Sequence, residues 1–218
     1  MMKWVWSLGI VVALAWGFAL QAAEKTVVIG FEDQPVGKMP ADFTAAVTPP
    51  GPAGAWVVRE DATAPEGKKV LVQESTDPTN GRYPLCIYDK LMAKDVEVRV
   101  KFRPVSGKVD QAAGIVVRYQ DKNNYYIARA NGLEDNVRLY KVENGKRKQF
   151  AGVDVKAPAA GQWHVLTLKA NGSKFEVGMD GKKLFEAEDA TFKEAGKVGV
   201  WTKADSVMEF DEIDIEKP

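Results

Sequence analysis

Asp95-Val96-Glu97-Val98-Arg99-Val100-Lys101-Phe102-Arg103 alternates apolar and charged residues without a break. Successive side chains of an extended chain point to opposite faces. Val96, Val98, Val100 and Phe102 therefore share one face, and Glu97, Arg99, Lys101 and Arg103 the other. This is the pattern of an antiparallel strand with one wet and one buried side. Residues 174–180 repeat it, with Phe175, Val177 and Met179 on one side. Strands are also predicted at 26–31, 55–59, 69–73, 85–88, 114–119, 125–129, 137–142, 163–170, 198–202 and 207–215. No window has the i, i+3, i+4, i+7 spacing of an amphipathic helix. A single helical turn is expected at 191–195, ended by Gly196.

The turns agree with this reading. Asn80-Gly81, Asn131-Gly132, Asn144-Gly145, Asn171-Gly172 and Asp180-Gly181 are dipeptides that tolerate positive φ. The last three lie between alternating segments and are expected to close hairpins. Roughly a dozen short strands at such spacing make an all-β, two-sheet antiparallel sandwich or jelly roll. The stretch 48–54, rich in Pro and Gly, reads as a surface loop, because strand signals flank it closely.

Composition narrows the function classes. Lys plus Arg is 30 and Asp plus Glu is 30, so there is no basic surplus of the kind nucleic-acid binders carry. Cys86 is the single cysteine, and its apolar neighbours Leu85 and Ile87 make it a small core residue. His164 is the single histidine. No G-x-S-x-G motif is present to use it, so a structural role is expected. Lys3 followed by the apolar run 4–20 and Gln21-Ala22-Ala23 has the layout of a secretory signal peptide. The expected organisation is a leader at 1–23 and one β domain over 24–218, exported to the bacterial periplasm or the cell exterior. An uncleaved anchor is the alternative, because Gln21 is a poor residue two places before the last alanine.

Several segments together resemble a known family. They are Phe31-Glu32-Asp33, the run Gly114-Ile115-Val116-Val117-Arg118-Tyr119-Gln120-Asp121, Asn123-Asn124-Tyr125-Tyr126, Trp163-His164, Asp180-Gly181-Lys182, Ala195-Gly196-Lys197-Val198-Gly199-Val200-Trp201-Thr202 and Phe210-Asp211. The chain is similar to the concanavalin A-like (laminin G-like) jelly rolls of secreted bacterial proteins. Within them it resembles the domain called 3-keto-disaccharide hydrolase. The resemblance implies two antiparallel sheets, with any ligand on the concave face or a rim. It also implies that a structural Ca²⁺ is to be sought among Glu32, Asp33 and Asp211, near the terminal strands. No other cofactor is expected.

The densest polar and aromatic group lies at 118–129. If 120–124 is the loop, Tyr119 pairs with Tyr125 and Arg118 with Tyr126. Tyr125 and Ile127 then face the core, and Arg118 and Tyr126 face the concave surface. A shift of one residue exchanges these faces. Arg129, Arg138 and Tyr140 extend the group, and Trp201, Lys203 and Asp205 form a second one at a strand end. Aromatic rings cover the apolar face of a sugar, while Arg and Asp bond its hydroxyls or a carboxylate. At the C-terminal end, Glu212-Ile213-Asp214-Ile215-Glu216 matches the E-x-D-x-E arrangement of family 16 retaining glycosidases, with Glu212 as nucleophile and Glu216 as acid. That motif belongs in a central cleft rather than on a last strand, so the carboxylates read better as solvated charges.

The expectation is a non-catalytic jelly-roll module that binds carbohydrate or another envelope or extracellular ligand, not nucleic acid. A glycoside or keto-sugar hydrolase and a structural or interaction protein are the alternatives. Asp121, Asp135 and Asp205 are the carboxylates to watch for a hydrolase.

Overall fold

Two antiparallel sheets stack face to face in the computed structural model, which describes residues 1–2, 25–156 and 158–217. The leader expected at 1–23 lies, but for its first two residues, outside them. The eight-stranded sheet runs β13 (Lys182–Glu188), β12 (Lys174–Met179), β11 (His164–Asn171), β6 (Val96–Ser106), β15 (Val207–Lys217), β4 (Lys69–Gln73) and β3 (Trp56–Glu60), with β1 (Lys25–Ile29) also paired to β15. The seven-stranded sheet runs β10 (Lys146–Asp154), β9 (Asn136–Glu143), β8 (Asn124–Asn131), β7 (Ala112–Asp121), β14 (Gly196–Thr202), β5 (Tyr83–Ala93) and β2 (Phe43–Thr48). This is the all-β jelly-roll sandwich expected from the alternation.

The alternating residues 96–103 lie in β6, near the middle of its sheet. Val96, Val98, Val100 and Phe102 are buried, and the charged residues between them face outward. The strands absent from the sequence reading are β2, β10 and β13, and each lies at a sheet edge. An edge strand pairs on one side only and carries a weaker apolar pattern. Asn144 (φ 52) with Gly145 (φ 74), and Asp180 (φ 52) with Gly181 (φ 75), place two successive residues in the left-handed region. Those turns close the β9–β10 and β12–β13 hairpins, as two-residue primed turns do. The helical turn expected at 191–195 is absent. Those residues form an irregular loop in which Thr191 N–H bonds Asp189 and Phe192 N–H bonds the Tyr126 hydroxyl.

Two apolar layers result. The larger lies between the sheets and takes Val98, Val100 and Leu168 from one and Ile115, Tyr126, Leu139 and Val200 from the other. The smaller lies on the outer face of the seven-stranded sheet: Leu85, Val116, Tyr125, Ile127, Tyr140, Val142 and Trp201. An outer face is buried in this way only if the sheet curls over it. Thr48, on the edge strand β2, bonds the Tyr125 hydroxyl on β8 at 2.7 Å and the Lys122 carbonyl at 2.5 Å. A flat sheet at about 4.8 Å per strand would hold β2 and β8 about 19 Å apart. The outer face of the seven-stranded sheet is therefore concave.

Candidate functional site

The sheet register builds this site. Trp201 pairs with Gly114 on one side and Leu85 on the other, and Gly114 pairs with Arg129, which pairs with Arg138. One step along, Val116, Ile127, Tyr140 and Gln149 form the neighbouring row. Residues two apart on a strand share a face, so Trp201, Arg129, Arg138 and Tyr140 all belong to the concave side. Gly114, between Trp201 and Arg129 in the row, gives way to the Ile127 side chain, whose Cδ1 would stand 2.8 Å from a Cβ placed there.

The centre is a stack of rings and guanidinium groups. Tyr83 and Trp201 stack with centroids 5.3 Å apart. The Arg147 guanidinium lies 4.8 Å from the Tyr83 ring centre, 4.4 Å from that of Tyr140 and 5.8 Å from that of Trp201. Arg129 lies 5.5 Å from the Tyr140 ring. Cations prefer this position because the ring face is electron-rich. Arg129 Nη2 is within hydrogen-bond distance of Glu134 Oε2 (2.9 Å), Asn136 Oδ1 (3.0 Å) and the Tyr140 hydroxyl (2.9 Å). Desolvation is the largest single influence on the Glu134 carboxylate and raises its pKa, but the bond and charge of Arg129, the Asn136 bond and the Lys203 charge together outweigh it and hold the group below its usual range. At the rim, Lys203 forms an ion pair with the buried Asp110, whose Oδ1 accepts from Asn131 Nδ2 at 2.7 Å. Trp201 is fully buried and forms the floor, Tyr83 and Tyr140 keep 9% and 6% of their surface, and Arg147 and Lys203 are half-buried.

Three donor atoms in this cluster have no hydrogen-bond partner among the described residues. They are Arg129 Nε, Arg129 Nη1 and Arg147 Nη1, all buried, whereas the Trp201 indole N–H faces the Tyr125 hydroxyl. Folded proteins rarely leave such groups unpaired, because each retains most of its desolvation cost. Clustered donors without acceptors describe a surface that lacks a partner rich in oxygen.

Arg118 and Tyr126 require a correction. Tyr126 pairs with Val117 rather than Arg118, because the chain bulges between Val117 and Asp121 and Arg118 takes φ 49. The shift of one residue exchanges the faces. Tyr126 points into the layer between the sheets and donates to Asp189 at 2.6 Å, while Tyr125 and Ile127 move to the concave side. Arg118 is buried at the end of that layer, where it donates to the carbonyls of Lys94 (2.8 Å), Phe192 (2.9 Å) and Gly172 (2.6 Å). Neither reaches the concave face.

The other expected residues divide by location. Arg129, Tyr140 and Trp201 come together, Arg138 sits beyond Arg129 with an ion pair to Asp154, and Lys203 lines the rim. Asp205 is turned to the 108–110 loop, where its carboxylate accepts the backbone N–H of Lys108, Val109 and Asp110. Burial raises its pKa, those bonds lower it more, and the net shift is downward. Asp121 accepts the N–H of Asn123 and the side chain of Asn124, holding its own hairpin. Asp135 lies in the loop between β8 and β9 at φ 50.

Glu212, Asp214 and Glu216 lie on β15 of the other sheet, with Ile213 and Ile215 packed inward between them. Lys101 pairs with Glu212 at 2.8 Å and Arg99 with Glu216 at 2.6 Å. Burial raises the pKa of Asp214. Glu32 accepts the backbone N–H of Lys68 (2.8 Å) and Lys69 (2.7 Å), and Asp211 accepts that of Glu66 at 2.8 Å. Asp33 is exposed. Among the described residues no three His, Cys, Asp or Glu side chains gather as a metal site. His164 Nδ1 sits 2.8 Å from Asp180 Oδ2, at the edge of the core beside Phe102.

Sequence reasoning missed Tyr83, Asp110, Glu134, Asn136 and Arg147. Arg147 stands between Lys146 and Lys148, and only the pairing of β10 with β9 shows which of the three turns inward.

The model of the family described as "Beta xylosidase C-terminal Concanavalin A-like domain" matches residues 70–201. The levanase of Bacillus subtilis (strain 168) is 30% identical over 95 residues, which span 42% of this chain and 14% of the levanase. Among solved structures, the carbohydrate binding module CBM66 from Bacillus subtilis superposes with a TM-score of 0.60 at 20% identity, over 77% of this chain and 91% of that one. A Bacillus subtilis protein with a galectin-like fold superposes with a TM-score of 0.55 at 11% identity, over 80% of this chain and 88% of that one. These likenesses establish the concanavalin A-like fold.

Proposed function

The chain belongs to the beta-xylosidase C-terminal concanavalin A-like domain family, and from that premise we propose that it is a non-catalytic module that binds carbohydrate on the concave face of its seven-stranded sheet. One observation carries the reading: the stacked Tyr83 and Trp201 rings, and the Tyr140 ring that Arg147 and Arg129 lie against, share that face with buried arginine N–H groups that lack acceptors. A sugar ring fits both demands, since its C–H face lies on aromatic carbon and its hydroxyl oxygens accept from the guanidinium groups. The carboxylates close by, Glu134 and Asp110, are held in ion pairs with Arg129 and Lys203, which suits binding better than proton transfer. The names of the carbohydrate binding module CBM66 and of the levanase support this reading. The leader-like run at 4–20 supports export to the periplasm or beyond.

A glycan array combined with affinity gel electrophoresis tests it. The protein is expected to be retarded by at least one polysaccharide, and Arg129→Lys to abolish the retardation at a temperature where thermal melts show the variant folded. Tyr140→Phe, which removes one hydroxyl, is expected to weaken it. The reading is wrong if no glycan binds the native chain, if Arg129→Lys binds as before, or if the native chain hydrolyses the glycan it binds.

A further inference from the structure

The charges around the concave cluster do not balance. Arg129 pairs with Glu134, Arg138 with Asp154 and Lys203 with Asp110. Arg147 makes no ion pair among the described residues, although its guanidinium is clamped against three aromatic rings and its Nη1 is buried without a partner. Arg129, 2% exposed, adds two more unpartnered N–H groups beside the same Tyr140 ring. Rings alone can hold a cation, but they leave its in-plane N–H edge open, and that edge matches the two oxygens of an anion. A neutral hydroxyl satisfies one donor and leaves the charge uncompensated in a half-buried place. An anionic group satisfies both needs.

We propose that the sugar taken on this face is acidic, its carboxylate or sulfate ester bonded by Arg147 and the free edge of Arg129. This rests on the carbohydrate-binding reading above and names the ligand class. Lys203 strengthens the local positive field while remaining tied to Asp110.

Calorimetric titration with oligogalacturonate, its methyl ester, dextran sulfate and dextran decides the matter. The acid or the sulfate is expected to bind at least tenfold more tightly than its neutral counterpart in low salt, and that margin is expected to shrink as salt rises. The acid and sulfate arms identify which anion the site takes. Arg147→Gln is expected to erase the margin, and Arg147→Lys, which keeps the charge but loses the fork, to retain part of it. Thermal melts of both variants identify any that fail to fold, and for those the salt dependence of the native chain decides. Equal binding of charged and neutral partners, or a margin untouched by Arg147→Gln, overturns the anion and leaves the carbohydrate reading standing. Failure of every glycan, charged or neutral, removes both.

Discussion

Arg147 on β10 holds its guanidinium 4.8 Å from the ring centre of Tyr83 on β5, although β9, β8, β7 and β14 lie between them in the sheet. A flat sheet would separate those strands by about 24 Å. The contact exists because the sheet twists and curls until its two flanks meet over the concave face. Thr48 and Tyr125 make a second crossing of the same face. The candidate site is thus a product of curvature, and whatever flattens the sheet takes it apart.

Thr48→Val tests that dependence. The change keeps the shape and removes the bonds to Tyr125 and the Lys122 carbonyl, so the buried Tyr125 hydroxyl and the part-buried carbonyl each lose a partner. The expected loss of stability is about 1–3 kcal/mol, read as a lower urea midpoint with an unchanged slope. Glycan binding is expected to weaken as well, since Tyr125 lies in the concave cluster. A variant with native midpoint and native binding would show that the crossing does not hold the curl.

Gly196 and Gly199 make close strand approach possible on β14. A Cβ at Gly196 would stand 2.4 Å from the Arg118 carbonyl carbon, and one at Gly199 2.4 Å from the Cys86 oxygen. Both obstacles are backbone and cannot swing aside. Gly196→Ala and Gly199→Ala are each expected to cost about 1–3 kcal/mol or more, seen as a fall in thermal midpoint. Alanine tolerated at either position would mean that β7 or β5 can move away from β14.

Sequence reading reached the sheets because β6, β11 and β12 alternate cleanly, and such strands have one side in the core. It reached Arg129, Tyr140 and Trp201 by residue type. It misplaced Tyr126 because a bulge shifts the register by one residue, and a bulge at Arg118 (φ 49) carries no glycine or asparagine to announce it. It missed Arg147 and Tyr83 for a different reason. Their meeting depends on the summed twist of six strands, and no local pattern encodes that sum.

Arg118 is the clearest test of the corrected face. Its guanidinium ties the 94, 172 and 192 carbonyls together, with Asp95 3.5 Å away. Arg118→Met is expected to leave those carbonyls without donors and to cost about 3 kcal/mol. Glycan affinity, measured at a temperature where the variant is folded, is expected to match the native value within twofold. A selective loss of binding in a fully folded variant would return Arg118 to the ligand face.

Asp189 links the loop at 189–195 to the body of the protein. Burial opposes its charge, but bonds from Lys141, Thr191 and Tyr126 prevail and lower its pKa to about 2. The folded value lies below the unfolded one, so the stabilisation is complete above the ordinary aspartate range, near pH 4, and drains away as pH falls toward 2. Tyr126 behaves in the opposite sense. Burial first, then the hydrogen bond to Asp189 and after it the Asp189 charge, raise its hydroxyl to about 12, so its contribution holds below the usual tyrosine value and is lost as pH climbs toward 12. Asp189→Asn is expected to flatten the fall in urea midpoint between pH 4 and pH 2. Because the neutral amide no longer repels the tyrosinate, it is also expected to reduce the alkaline loss. Acid and alkaline limbs unchanged from the native protein would show that other groups govern both.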